Sequence, residues 1–336
     1  MRLDSSKIKS ITLGAVRVEE NENGISFHRF TEEQEKKYYD RWSEYYLRAL
    51  APSGVRLRFR TDSQKLLLKA DLSNATGRSY FAFDVFVNGK KLDTLDNFSN
   101  EVLPVDYPSH PFSHGVYSKL FSLGAGQKEV CIYFPWSVQV SLMALELDDG
   151  AYLEPVKPSK KLLCYGDSIT QGYDALYPSN KYISKLADFL DAEENNKAVG
   201  GDVFFPELLS EKENLEPDYI TVAYGTNDWS SNTKEAFVRN CGEFFCRLNQ
   251  NYPNAKIFVI TPIWRKDHTE HRDFGKFEEV ESVIISTAAS YKNVTVFSGF
   301  DFINHDEKLY GDLRLHPNDA GFAQYFQSLL QKIVTP

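Results

Sequence analysis

Residues 161–172 read Lys161-Leu162-Leu163-Cys164-Tyr165-Gly166-Asp167-Ser168-Ile169-Thr170-Gln171-Gly172. An unbroken apolar run stops at a glycine, and a short polar segment leads toward helix-compatible sequence. The run does not alternate, which is the pattern of a strand buried on both faces. Three later runs repeat it: 219–224 ends at Gly225, 256–260 at Thr261-Pro262, and 294–297 at Ser298-Gly299. Helix-length segments lie near 180–190, 233–249, 275–291 and 318–333. Strand alternating with helix predicts a parallel sheet covered on both faces. Ligands of such sheets bind beyond the carboxyl ends of the strands.

The chain before this point has another rhythm. Val55, Leu57 and Phe59 alternate with Arg56, Arg58 and Arg60, which predicts a strand whose arginines form a solvated face. Phe81, Phe83, Val85 and Val87 continue the alternation and run into Asn88-Gly89, a pair suited to a type I′ hairpin because both residues tolerate positive φ. Further strands are predicted at 130–134 and 140–147. One helix is predicted at 31–42, opened by Thr31 with Gln34 three residues on, a capping box. Many short strands separated by turn signals predict a β-sandwich. The division expected is therefore a sandwich domain over 1–153, a Pro- and Lys-rich connector over 154–160, and an α/β domain over 161–336.

Composition narrows the function classes. The 336 residues carry 38 Lys and Arg against 47 Asp and Glu, a net charge of −9. Nucleic-acid binders usually show the reverse balance, so no nucleic-acid partner is expected. No apolar run approaches the ~20 residues of a membrane span, so no membrane partner is expected either. The opening Met1-Arg2-Leu3-Asp4-Ser5-Ser6-Lys7 lacks the apolar core of a signal peptide. Cys131, Cys164, Cys241 and Cys246 are scattered and form no Cys-x-x-Cys pair, which argues against a disulfide framework or a structural zinc site. A cytoplasmic protein with reduced thiols is expected. Phe and Tyr number 24 and 19, a content that fits β-sheet cores and a site that stacks on flat or ring-shaped ligands.

Several strand ends carry residues with chemical potential. Ser168 stands at the start of a helix, where free N–H groups and the helix dipole favour developing negative charge; Gly-Asp-Ser is also an ordinary turn. Gly200-Gly201 either permits a tight turn or lets a backbone N–H approach a ligand. Asn227, in Gly225-Thr226-Asn227-Asp228, is a turn former or an amide donor. His316 precedes Pro317, a residue suited to the first turn of the last helix.

Together, in this order, Gly166-Asp167-Ser168-Ile169-Thr170, Gly201, Gly225-Thr226-Asn227-Asp228 and His316-Pro317-Asn318 resemble the four blocks of the SGNH (GDSL-type) hydrolase family. The resemblance implies a flavodoxin-like three-layer α/β/α domain with a parallel sheet, preceded here by a jelly-roll-like β-sandwich. It implies that Ser168 is the nucleophile and His316 the base, and that the Ser168 and Gly201 N–H groups and the Asn227 amide form an oxyanion hole. It implies no metal and no cofactor. One position departs from the pattern. The family usually has an Asp three residues before the His, whereas that position is Leu313 and the acid, Asp312, lies four before. Either Asp312 reaches the imidazole through a one-residue bulge, or a backbone carbonyl such as that of Leu313 orients the ring. Asp319 is a weaker stand-in, and Asp167 and Asp228 are expected to be structural.

Other residues have two readings each. Trp264 and Arg265 follow a strand end and either wall the substrate cleft or belong to a surface loop. Trp229 and Tyr173 either line the pocket or pack. His268 and His271 read as a polar loop rather than a metal site. A β-rich domain ahead of an SGNH domain is similar in layout to the family-two carbohydrate esterases. That layout implies a small-molecule ester partner, namely acetyl groups on oligosaccharide hydroxyls. A lysophospholipase or thioesterase reading shares the chemistry, and a carbohydrate-binding protein with a decayed hydrolase domain is the rival from outside catalysis.

Overall fold

The computed structural model describes residues 1–100 and 102–334. Two antiparallel sheets face each other in the N-terminal half. The first runs Thr12–Leu13, Arg56–Thr61, Lys128–Tyr133, Ala82–Val87, Lys90–Asp96, with Glu154–Pro155 added beside Phe59 and Arg60. The second runs Arg17–Asn21, Gly24–His28, Val138–Leu147, Lys65–Asn74, Gly115–Ser122. Alternation puts Leu57, Phe59, Val85 and Ile132 of one sheet against Leu66, Leu68, Ala70 and Val140 of the other, and all are buried. Each of the Leu, Ile, Val and Phe side chains among them contributes roughly 1.5–3 kcal/mol by leaving water. The Asn88-Gly89 hairpin forms as expected, with φ of 50° and 75° at the two turn residues.

Between these strands, Glu32–Arg41 is helical, and the capping box of Thr31 and Gln34 is present in both directions. A second helix, Ser43–Ala49, follows at once. The pair lies against the C-terminal domain, where it bears on the site described below.

The expected solvated arginine face is only partly so. Arg60 is exposed, but Arg56 is 6% exposed. It pairs with Asp188 and, at 3.1 Å, with Glu194, both in the C-terminal domain. The strand's outer face is an interdomain seam at this end, so its charges are paired rather than hydrated. Burial opposes ionisation of Glu194, but Lys181 and Arg56 outweigh it and hold the carboxyl down at about 2.

The C-terminal half is a five-stranded parallel sheet. Numbered along the chain within this sheet, its strands are β1 (Lys160–Gly166), β2 (Ala192–Asn196), β3 (Tyr219–Ala223), β4 (Lys256–Ile260) and β5 (Val294–Phe297). Their order is 2-1-3-4-5, the flavodoxin-like arrangement. Leu163, Tyr165, Val222 and Val259 pack on the side of helices Lys234–Asn251 and Glu278–Ala288. Leu162 and Cys164 face the other way, toward Tyr182–Phe189 and Asp319–Val334. Three layers result, with the strand ends of β1, β2 and β3 adjacent. No helix among the described residues is long and apolar enough to cross a membrane.

Candidate active site

Ser168 is the first residue of a four-residue helix that begins where β1 ends. Asp167 caps that helix by accepting from the Ile169 N–H at 2.9 Å. Ser168 Oγ lies 2.8 Å from Nε2 of His316. The other ring nitrogen, Nδ1, lies 2.7 Å from Oδ2 of Asp312. A carboxylate only accepts, so Nδ1 carries the proton and Nε2 is left to accept from the serine hydroxyl.

The two alternatives for the orienting group are resolved in favour of Asp312. Leu313 adopts φ of 55°, and this left-handed residue takes up the extra position between Asp312 and His316. Oδ1 of Asp312 accepts the N–H groups of Arg314, Leu315 and His316 at 3.0, 2.8 and 3.1 Å. Burial alone would raise the Asp312 carboxyl, but His316 and these N–H donors hold it well below the usual carboxylate range. Asp319 points elsewhere, accepting from Leu176 N–H and Asn180 Nδ2 at 3.0 and 2.9 Å.

The three donors expected of an oxyanion hole sit at the ends of β1, β2 and β3. Among the described residues, no protein acceptor takes the Ser168 or Gly201 N–H. Gly201 has φ of 82°, which a side chain would strain. Asn227 donates one amide hydrogen to the Asp202 carbonyl at 2.9 Å, and the second has no protein acceptor among the described residues.

The N-terminal helix pair clamps the loop that holds Gly201, a contribution the sequence did not announce. Arg29, just before the pair, donates to the carbonyls of Asn196 and Ala198 at 2.7 and 2.9 Å. Arg48 donates to Gly200 O at 2.8 Å, and Tyr45 to Gly201 O at 3.2 Å. Tyr38 and Arg41 each reach the buried Asp202 carboxylate at 2.8 Å. From within the C-terminal domain, the Gly200 N–H donates to Oε1 of Gln171 at 2.7 Å.

The four residues considered for substrate contact part ways. Tyr173 is beside the site but packed: it is 7% exposed, with its ring 5.4 Å from that of His316 and 5.0 Å from that of Trp136. Trp229 is not a pocket wall. It is 1% exposed, donates to Gly275 O, and packs on Phe277 beneath Arg272, because the short helix Thr226–Ser231 turns its ring inward. Arg265 is 2% exposed and is engaged by Thr226, Ser230 and Asp267; it secures the helix bearing Asn227. Trp264 is 7% exposed and packs on Tyr310 and His305. His268 contacts the Arg265 carbonyl through Nδ1 and packs beside Trp264.

Asp167 and Asp228 have structural partners, and burial pushes their carboxyls up to about 7 and about 8. Asp174, Asp312 and His316 bring ligand-type atoms within 4.8 Å of one another. Asp174 is paired with Arg78, however, and the other two with each other. That donor set is engaged by the protein's own hydrogen bonds.

Residues 164–324 match the model of the GDSL-like Lipase/Acylhydrolase family. No curated protein matches the chain. Among solved structures, a salicylyl-acyltransferase, SsfX3, from a tetracycline biosynthetic pathway is similar at 20% identity with a TM-score of 0.81, covering 97% of this chain and 95% of its own. A family two carbohydrate esterase from Clostridium thermocellum, in complex with cellohexaose, is similar at 16% identity and a TM-score of 0.66, covering 96% and 98%. An acetyl xylan esterase, Est2A, from the rumen bacterium Butyrivibrio proteoclasticus is similar at 15% identity and a TM-score of 0.63, covering 99% and 97%. These likenesses span both domains and establish the shared two-domain fold. Over residues 164–324, a stretch that includes Ser168, Gly201, Asn227 and His316, the chain is therefore similar to the GDSL-like Lipase/Acylhydrolase family.

Proposed function

We propose that this protein hydrolyses small acyl esters, with acetyl groups on oligosaccharide hydroxyls as the substrate class. The observation that carries the reading is the continuous chain from Ser168 Oγ through His316 to Asp312, with contacts of 2.8 and 2.7 Å. His316 takes the hydroxyl proton as Oγ attacks the ester carbonyl carbon. The carbonyl oxygen becomes an oxyanion held by the Ser168 and Gly201 N–H groups and the free Asn227 amide hydrogen. Asp312 supports the imidazolium without taking its proton. His316 then returns the proton to the departing alcohol, leaving an acyl-serine. Water, deprotonated by His316, attacks that ester, and the departing Ser168 oxygen takes the proton back from His316, which releases the acid and restores the hydroxyl and the neutral ring.

The substrate class rests on the two-domain likeness to the carbohydrate esterases. A cytoplasmic setting would make imported oligosaccharides the substrate. One observation favours a second reading: the likeness to an acyltransferase extends over nearly the whole chain. The acyl-serine is common to both, and only the acceptor differs.

The test is turnover of p-nitrophenyl acetate, butyrate and octanoate and of acetylated xylo- and cello-oligosaccharides, with Ser168→Ala as control. Acetate is expected to be preferred, and Ser168→Ala to stay folded and inactive. Faster turnover of octanoate would overturn the acetyl reading. Ester formation outrunning hydrolysis when a sugar alcohol is added would favour transfer.

A further inference from the structure

His316 faces two carboxylates. Beyond Asp312, Oδ2 of Asp174 lies 3.9 Å from the same Nδ1. That is too far for a hydrogen bond but close enough for charge to be felt. Asp174 is fully buried and comes from the loop after Gly172. Its position is fixed from the other domain. Tyr107 donates to its backbone carbonyl at 2.7 Å, and Trp136 Nε1 donates to the neighbouring Ala175 carbonyl at 2.9 Å. Its carboxylate meets Arg78, whose Nε lies 2.7 Å from Oδ1 and whose Nη2 lies 3.4 Å from Oδ2.

We propose that Arg78 and Asp174 are positioning residues whose opposite charges balance beside His316, so that the N-terminal domain sets the basicity of the catalytic base. The proposal rests on the esterase reading of Ser168 and His316. The charged groups around the ring are Asp312, Asp174 and Asp167, with Arg78 beside Asp174 and Arg314 near Asp312. The ring's flank is covered by Tyr173. Asp312 and its three N–H donors form a closed unit, and Asp167 is tied to its helix. Arg78 is the cation that cancels Asp174. Burial raises the Asp174 carboxyl, while His316 and Arg78 oppose that rise. With Arg78 gone, an uncancelled negative charge would favour the imidazolium, and the base would need a higher pH to act. With Asp174 gone, the lone guanidinium would disfavour the imidazolium.

The test is the acid limb of kcat/KM for p-nitrophenyl acetate in Arg78→Met, Asp174→Asn and the double variant, together with the NMR titration of the His316 ring. Arg78→Met is expected to move the limb up by about one pH unit, and Asp174→Asn to move it down. The double variant is expected to return near wild type, and Arg78→Lys to restore most of the shift. A purely structural pair would lower kcat in both single variants without shifts of opposite sign. An unmoved limb in Arg78→Met, or shifts of the same sign, would overturn the proposal. If the wild type hydrolyses no ester, the esterase reading fails, and the His316 titration still tests the charge pair by itself.

Discussion

The side-chain amide of Asn227 donates to the backbone carbonyl of Asp202 at 2.9 Å, joining the short helix after β3 to the loop after β2. One amide hydrogen is thereby fixed, and the other is aimed without rotational freedom. Such a donor serves charge that develops in the transition state more than it serves the ground-state carbonyl. Asn227→Ala should lower kcat by about 10²–10³ and leave KM nearly unchanged. Steady-state kinetics with p-nitrophenyl acetate measure both. A raised KM at constant kcat would instead assign Asn227 to substrate binding.

Asp202 is held in turn from the other domain. Its carboxylate is fully buried and meets Arg41 and Tyr38. Removing the guanidinium strands a charge in a dry place, which in comparable sites costs about 3 kcal/mol or more. Arg41→Met should lower the urea midpoint accordingly, and it should also lower kcat, because the Asp202 carbonyl orients Asn227. Loss of stability with kcat intact would mean that the clamp supports the domain interface but not the oxyanion hole.

The strands β1, β3 and β4 were legible because most of their residues are buried and apolar in an unbroken run, and β5, at the sheet edge, because it is a short β-branched and aromatic run. β2 was not, since Ala192–Asn196 reads Ala-Glu-Glu-Asn-Asn. Its Glu194 is buried against Lys181 and Arg56 in the seam between domains, an environment that local hydropathy does not encode. The clamp on Gly201 was invisible for a related reason. Arg48 and Tyr45 recognise backbone carbonyls more than 150 residues away, and carbonyls carry no sequence signature. Ser168, Gly201, Asn227 and His316 were singled out from block order, and Ser168 and His316 do meet, whereas the contact with Asp312 depended on a backbone angle at Leu313 that residue identity does not fix.

Trp229 sits beside Asn227 in the chain yet belongs to the core beneath it. Its truncation should register as lost packing. Trp229→Ala should cost about 3–5 kcal/mol of stability, while the relative KM values for acetate, butyrate and octanoate esters stay as in the wild type. Denaturant melts and a chain-length series measure the two effects separately. A selective change in KM for one ester would return Trp229 to the pocket wall.

Asp228 predicts a pH dependence of stability. Its carboxyl is raised by burial to about 8 in the folded chain, against about 3.9 in an unfolded one. Between those values the folded state holds a proton that the unfolded state has lost. Stability is therefore full below about pH 4, falls as pH rises, and levels off above about pH 8. Asp228→Asn removes this dependence. The variant should gain on the wild type steadily from pH 5 to pH 8, by on the order of a few kcal/mol in all. A constant difference between the two across that window would show that Asp228 is ionised in the folded protein throughout.

Leu313 is where the base is aligned. Its φ of 55° is unusual for a residue with a branched side chain, and its N–H donates to Tyr310 O at 3.1 Å. The left-handed turn costs roughly 1–2 kcal/mol for a residue such as leucine. Glycine would relieve that strain while losing about 0.5–1 kcal/mol through the freedom of its unfolded chain. Leu313→Gly should therefore fold with stability within about 1 kcal/mol of wild type and keep its kcat. Leu313→Pro should not, because proline fixes φ near −65° and removes the N–H. Asp312 would then be drawn away from Nδ1, the ring would lose its fixed tautomer, and kcat should fall to the level of Asp312→Ala. Circular dichroism confirms that both variants fold, and steady-state kinetics compare them. Full activity in Leu313→Pro would show that His316 is oriented by something other than the turn that carries Asp312.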